Sequence, residues 1–203
     1  MVIRAFALLV VFFMIGCIGG RSPNTRVFII DPEVAFPKTE KRLGGVLYVR
    51  EFSVPDAYER SQIVVRQGRF ELDYRAHELW VARPKRLLPN IIADKLTQSG
   101  LFDTATSHLA DKQPTYEMHG ELIALDVESF AMTPQAHLAI SIVMIDFHTR
   151  NVLFRYTFDQ REKLTDASSG HAAQAISKLM GKALLQMVEQ LAKIKPKADD
   201  EAP

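Results

Sequence analysis

Apolar and polar residues alternate along most of the chain, and in two stretches the period lengthens to that of a helix. VLYVREFSV (Val46–Val54) alternates well enough for a strand and stops at Pro55-Asp56. SQIVVR and RFELDYR flank Gln67-Gly68, the spacing of a β-hairpin in which Gly68 can supply a positive φ. Phe70, Leu72 and Tyr74 share one face of the second arm, while Glu71, Asp73 and Arg75 share the other. Leu87, Leu88, Ile91, Ile92 and Leu96 then follow helical spacing, and Gly100 with Leu101 and Phe102 behind it marks a left-handed stop. The start of this helix has two readings. Either Pro84 takes the first helical position and the helix kinks at Pro89, at a cost of about 3 kcal/mol in an ordinary helix interior, or Pro84–Leu88 form a preliminary turn and the helix starts at Pro89.

Further strands are expected at 102–107, Tyr116–Val127, His137–Phe147 and Val152–Arg161. His137–Phe147 is the most apolar of these and lacks clean alternation, which predicts burial on both faces. In the last of them Phe154, Tyr156 and Phe158 point inward, and HTRN makes the turn between the final two strands. A long amphipathic helix follows, from about Ser169 to Ile194. Its stripe is Ala172, Ile176, Leu179, Ala183, Met187 and Leu191, and Ser168 or Ser169 caps the start. Two helices separated by strands predict an α+β fold: a mixed or antiparallel β-sheet with two main helices packed against one face.

This folded body is expected over residues 45–194. Residues 18–44, with VFII (Val27–Ile30) as a possible edge strand and prolines and charges after it, read as a tether, and 195–203 read as a disordered tail. Residues 1–17 have the layout of a signal peptide. Arg4 supplies positive charge, and the apolar run Ala5–Ile15 has roughly half the 20 residues a membrane span requires. The only cysteine in the chain, Cys17, follows Gly16 directly. Three readings compete for it: a membrane-spanning helix, an ordinary buried thiol, or a lipid attachment point. The last fits best, because the run is short and small residues surround the cut. The segment resembles a bacterial lipobox, with Met14 where Leu is usual.

Charge and chemistry narrow the class. The chain carries 25 Lys and Arg against 24 Asp and Glu, and loss of the signal peptide removes Arg4, leaving a neutral body. No nucleic-acid partner is implied. With a single cysteine the exported domain is held by packing rather than disulfides. There is no phosphate loop, no G-x-S-x-G elbow and no G-x-G-x-x-G motif. The six histidines lack H-E-x-x-H spacing. His119 and Glu121, two apart on a strand with Glu117 alongside, come nearest to a ligand pair, and a polar solvent face accounts for them. The expectation is no catalytic residues, no metal and no cofactor.

The segment Tyr58–Leu96 adds a family. A tyrosine and an arginine (Tyr58, Arg60) lead into a strand bearing Gln62, Ile63, Val64 and Arg66; a strand with Tyr74, then Trp80, then Pro84 opening a helix that runs to Leu96, complete the pattern. It resembles the ABC-type transport auxiliary lipoproteins, partners of Mce-family intermembrane lipid transporters such as the paraquat-inducible system. The resemblance implies a lipid-anchored, non-enzymatic protein that helps phospholipid or other hydrophobic cargo across the periplasm. It also implies an Mce-domain partner, a homo-oligomer, and an outer-membrane location facing the periplasm, since Ile18 rather than Asp follows Cys17. Trp80, beside Arg83, Lys85 and Arg86, is a candidate interface anchor together with Tyr74 and Arg60. The plainer reading packs Trp80 beneath the helix start. A competing function is an envelope lipoprotein that binds a small hydrophobic ligand or assists outer-membrane assembly, which requires a cavity of roughly 300–1,000 Å³ within one subunit.

Overall fold

The computed structural model describes residues 24–37, 42–108, 113–130 and 132–194. Eight strands form one mixed sheet: β1 (Arg26–Phe28), β2 (Val46–Val49), β3 (Gln62–Gly68), β4 (Glu71–Trp80), β5 (Thr104–Thr106), β6 (Tyr116–Glu128), β7 (Gln135–Asp146) and β8 (Val152–Lys163). The helices are α1 (Pro84–Ser99) and α2 (Ser169–Leu191). The predicted α+β class holds, and the sheet is mixed.

Strand β6 is the spine. One edge pairs along its length with β7, which pairs in turn with β8, giving a long antiparallel meander. The other edge takes two parallel partners in succession, β2 at its start and β3 at its end, joined by a bridge between Ser53 and Glu121. β5 extends the sheet beyond β2; β4 and then β1 extend it beyond β3. Helix α1 packs on β2 and β5, and α2 on β7 and β8, with the helices touching each other. The sheet curls far enough that β1 also reaches α2, and Ser169 at the start of α2 donates to Glu78 of β4 at 2.5 Å.

The helix-side face of the sheet is the apolar core. Met118, Leu122, Leu138, Ile140, Ile142 and Met144 lie against Phe154, Tyr156 and Phe158, all buried, under Ile176, Leu179, Ala183 and Met187 of α2. β7 is buried on both faces over much of its length, as its sequence predicts. The Tyr156 hydroxyl donates to the Ala183 carbonyl at 3.0 Å, and burial raises its pKa. Gly120 faces this side with the Phe52 ring against it: an added Cβ would lie 2.1 Å from that ring, so only glycine fits.

Both helix starts resolve. Pro84 is the first residue of α1, and Pro89 lies inside the helix and is buried. Proline at 89 has no N–H for the Lys85 carbonyl, and the Phe52 N–H takes that acceptor at 3.2 Å. The irregular stretch after β2 is thereby tied to the helix. At the other end Gly100 adopts φ 73° and its N–H returns to the Thr97 carbonyl, with Leu101 and Phe102 buried behind. Ser168 caps α2, its Oγ accepting from the His171 N–H. The helix ends at Leu191, three residues before the expected Ile194.

Three expectations need correction. Part of the predicted tether belongs to the folded body: the possible edge strand is present as β1 on β4, at Arg26–Phe28, Ile30 and Pro32 after it are buried, and the segment crosses α2 at Gly181, where the Asp31 N–H donates to Ser177 Oγ at 3.0 Å. Gly181 lies against Pro32, Glu33 and Val34 at the crossing, and Ala173 and Gly181 extend the buried surface of α2 beyond a simple stripe. Phe70 does not share a strand face with Leu72 and Tyr74; it sits in the hairpin turn, 94% exposed. Strand β2 ends at Val49, with only the Ser53 bridge beyond it, because the Phe52 N–H turns to α1. The signal peptide with Cys17 and the tail 195–203 lie outside the described residues.

Candidate functional site

The face of the sheet turned away from the helices carries the polar chemistry. A bulge in β6 between Leu122 and Ala124 places it there. Glu117, His119 and Glu121 occupy this face before the bulge; after it the alternation shifts by one, so Ala124, Asp126 and Glu128 join them. Register then lays one row across five strands: Tyr74 beside Val64, Val64 beside Asp126, Asp126 beside His137, and His137 beside Arg161.

The residues before β3 fold over this row. The Tyr58 hydroxyl donates to Asp126 Oδ2 at 2.6 Å, and Arg66 donates to the same oxygen at 3.0 Å and to the Tyr58 oxygen at 3.0 Å. The Arg60 guanidinium stacks 3.8 Å above the Tyr74 ring. Trp80 is close by, its backbone N–H donating to the Ser61 carbonyl at 2.7 Å. The tyrosines and arginines quoted from the segment 58–96 therefore converge on one place. Of the three predicted interface residues, Arg60 and Tyr74 are half-buried on the polar face, while Trp80 is 4% exposed and packs within its own subunit.

Asp126 is the centre of the cluster. Its side chain has no exposed surface. Burial works to raise its pKa, but the His137 ring beside it, the Tyr58 hydrogen bond and the charge of Arg66 outweigh it and hold the carboxyl below its ordinary range. The same burial, reinforced by the Asp126 charge, pushes the Tyr58 phenol upward. His137 Nε2 lies 2.8 Å from Asp159 Oδ1, and Arg161 grips both oxygens of Glu128 at 3.0 and 3.1 Å. Two buried atoms here have no hydrogen-bond partner: Asp126 Oδ1 and His137 Nδ1. They face each other at 3.7 Å, with Glu128 Oε1 3.6 Å from the same nitrogen.

A second cluster lies at the other end of β6. Glu117 is buried, not part of a solvent face, and its two oxygens receive Arg50, at 2.8 Å, and Arg150. Burial raises its pKa, but the two guanidinium groups outweigh this and the carboxyl titrates below its ordinary range. His119 lies 3.5 Å from Glu117, and burial lowers its pKa. Glu121 is exposed and joins neither cluster.

Sequence reasoning singled out neither Asp126, Glu128 and His137 nor Asp159 and Arg161 as a site. The available signal was two i, i+2 pairs, Asp126/Glu128 and Asp159/Arg161, each sharing a strand face. One open cleft of about 490 Å³ at the start of α1 is lined by Glu51, Glu59, Ala82, Arg83, Lys85 and Arg86. A smaller one of about 210 Å³ includes Leu43, Met144, Leu153 and Ile194 in its wall, and is below the volume expected of a small-ligand cavity. Among the described residues no helix is long and apolar enough to cross a membrane.

The sequence matches a family described as "ABC-type transport auxiliary lipoprotein component" over residues 30–192. No curated protein matches it. The fold is shared with a solved Xanthomonas campestris protein of the DUF330 family, at 13% identity and a TM-score of 0.72, covering 82% of this chain and 94% of that one. A second solved structure, of an uncharacterized protein, gives 10% identity and a TM-score of 0.64 over 83% of this chain and 99% of that one.

Proposed function

Because the chain belongs to the ABC-type transport auxiliary lipoprotein family, we propose that it is the anchored docking component of such a transport system. It performs no catalysis itself. Acyl chains on Cys17 hold it at the outer membrane, facing the periplasm. There it assembles with copies of itself and receives an Mce-domain partner, so that lipid or another hydrophobic cargo crosses between membranes. The ATPase and permease are separate chains. The observation that carries this reading is the family match, which spans nearly the whole folded body, from the segment crossing α2 to the end of that helix.

The geometry supports a docking role. The resemblance residues Tyr58, Arg60, Arg66 and Tyr74 form a built polar face rather than a cleft, and the Arg60–Tyr74 pair is its half-exposed part. A guanidinium stacked on an aromatic ring makes a rigid contact unit of the kind enriched in interfaces. On this reading Trp80 supports the pair from within the subunit.

Two measurements test the proposal. Palmitate labelling of the wild-type protein and of Cys17→Ala is expected to give label only in the wild type; label retained in the variant refutes the anchor. Affinity capture of the Mce-domain protein of the same system is expected to recover this protein, and Arg60→Ala with Tyr74→Ala is expected to reduce that recovery or the oligomer without lowering Tm by more than a few degrees. Capture that is empty for the wild type removes the docking role.

A further inference from the structure

The facing atoms of Asp126, Glu128 and His137 pose a problem of charge and lone pairs. Asp159 accepts at 2.8 Å from His137 Nε2, so that nitrogen carries a proton, and in the neutral ring Nδ1 keeps a lone pair. That lone pair points at two carboxylates, 3.6 and 3.7 Å away. Tyr58 and Arg66 occupy only Oδ2 of Asp126, leaving Oδ1 buried and unpartnered. Three carboxylates (Asp126, Glu128 and Asp159) meet two guanidinium groups (Arg66 and Arg161), which leaves one negative charge to be matched at His137 Nδ1, by a proton or by a metal ion.

We propose that Asp126 Oδ1, a Glu128 carboxylate oxygen and His137 Nδ1 bind a divalent transition-metal ion of the zinc class. One donor atom from each of the three lies within 4.8 Å of the others. A four-coordinate ion with bonds of about 2.1 Å sets neighbouring ligands roughly 3.4 Å apart, close to the 3.6 and 3.7 Å found here. Those separations are too long for a shared hydrogen bond. Two carboxylates and an imidazole suit zinc, cobalt(II) and manganese(II) better than calcium, which takes oxygen alone. The surrounding bonds are those a metal site needs. Asp159 fixes the His137 tautomer from behind, Tyr58 and Arg66 orient Asp126, and Arg161 orients Glu128. Asp159 and Arg161 are partly exposed, so the ion enters from their side. Water completes the fourth position. The ion would tie β6 to β7 beneath the Tyr58–Arg66 cover, a structural role independent of the lipid anchor and of any partner.

The test uses the full-length protein without a histidine tag, in detergent, after treatment with EDTA. Zinc(II) titrated by calorimetry is expected to bind at one ion per chain with a Kd of about 1 μM or tighter, and cobalt(II) is expected to give visible absorption bands of a four-coordinate centre. His137→Gln and Glu128→Gln, each checked for intact fold by circular dichroism, are expected to weaken zinc binding at least about 30-fold. Asp159→Asn is expected to weaken it about 10- to 100-fold, and His119→Gln is expected to leave it unchanged. Absence of binding by the wild-type protein overturns the proposal, as does undiminished binding by folded His137→Gln. Nitrogen NMR showing His137 protonated at both ring nitrogens with zinc present also overturns it, since a proton then fills the gap.

Discussion

Strand β6 carries a buried carboxylate cluster at each end, on the same face, and the two are completed differently. At its start Glu117 has an arginine for each oxygen, both arginines reaching in from exposed positions. At its end Asp126 is fully enclosed, with two partners on one oxygen and none on the other. The first cluster is closed by flexible side chains in contact with water, which gain little from the pairing. The second is built from groups with nowhere to move, so its stakes are higher in both directions.

That contrast fixes an order of effects, each read by thermal or denaturant unfolding. Asp126→Ala should be the most damaging, at about 3–5 kcal/mol, because it strands Tyr58, Arg66 and His137 around a cavity; a loss below about 1 kcal/mol would erase the distinction between the two ends. Gly120→Ala comes next. It lies between the clusters on the opposite face, where its Cβ would collide with Phe52, so about 1–3 kcal/mol is expected with neither cluster altered. Tyr58→Phe removes one donor to Asp126 while Arg66 remains, and should cost about 1–2 kcal/mol. A neutral result there would mean that Arg66 alone satisfies the carboxylate.

Glu117→Gln should be the mildest, at about 1 kcal/mol near neutral pH, since Arg50 and Arg150 can turn to solvent. Its effect must also depend on pH with a definite sign. The folded pKa of Glu117 is lowered, so its contribution is present above about pH 4.5 and disappears as pH falls through the folded value. The stability gap between wild type and Glu117→Gln should therefore close in acid. A gap that widens as pH falls would reverse the assignment of Glu117 as a paired carboxylate.

Much of the architecture was legible because the sheet is one-sided. Alternation in Val152–Arg161 and the helical stripe of Ala172 to Leu191 each report burial against a core, and both elements appear where that pattern puts them. The Asp126 cluster was hidden for a specific reason. A period of two carried from Glu117 through β6 places Asp126 on the helix side, with Gly120 and Leu122. The extra residue at Ile123 reverses the parity, and Ile123 is itself exposed, as a bulged residue can be. Pairing Asp126 with His137 further requires the register of a hairpin, which no local pattern contains. The stretch after the edge strand was read as a tether for the opposite reason: its prolines and charges describe a loop, but loops can lie on a surface, and this one lies on α2 at Gly181.

Pro89 is a joint as well as an interruption. Replacing it with alanine would improve the helix by every local measure. The restored amide would draw the Lys85 oxygen back toward the helix axis, and the Phe52 N–H would lose its acceptor. The chain around Phe52, whose ring fills the notch at Gly120, would then keep its backbone bonds to β6 through Arg50 and Ser53 but lose its tie to the helix. A substitution that any propensity scale would recommend should here loosen the seam between helix and sheet.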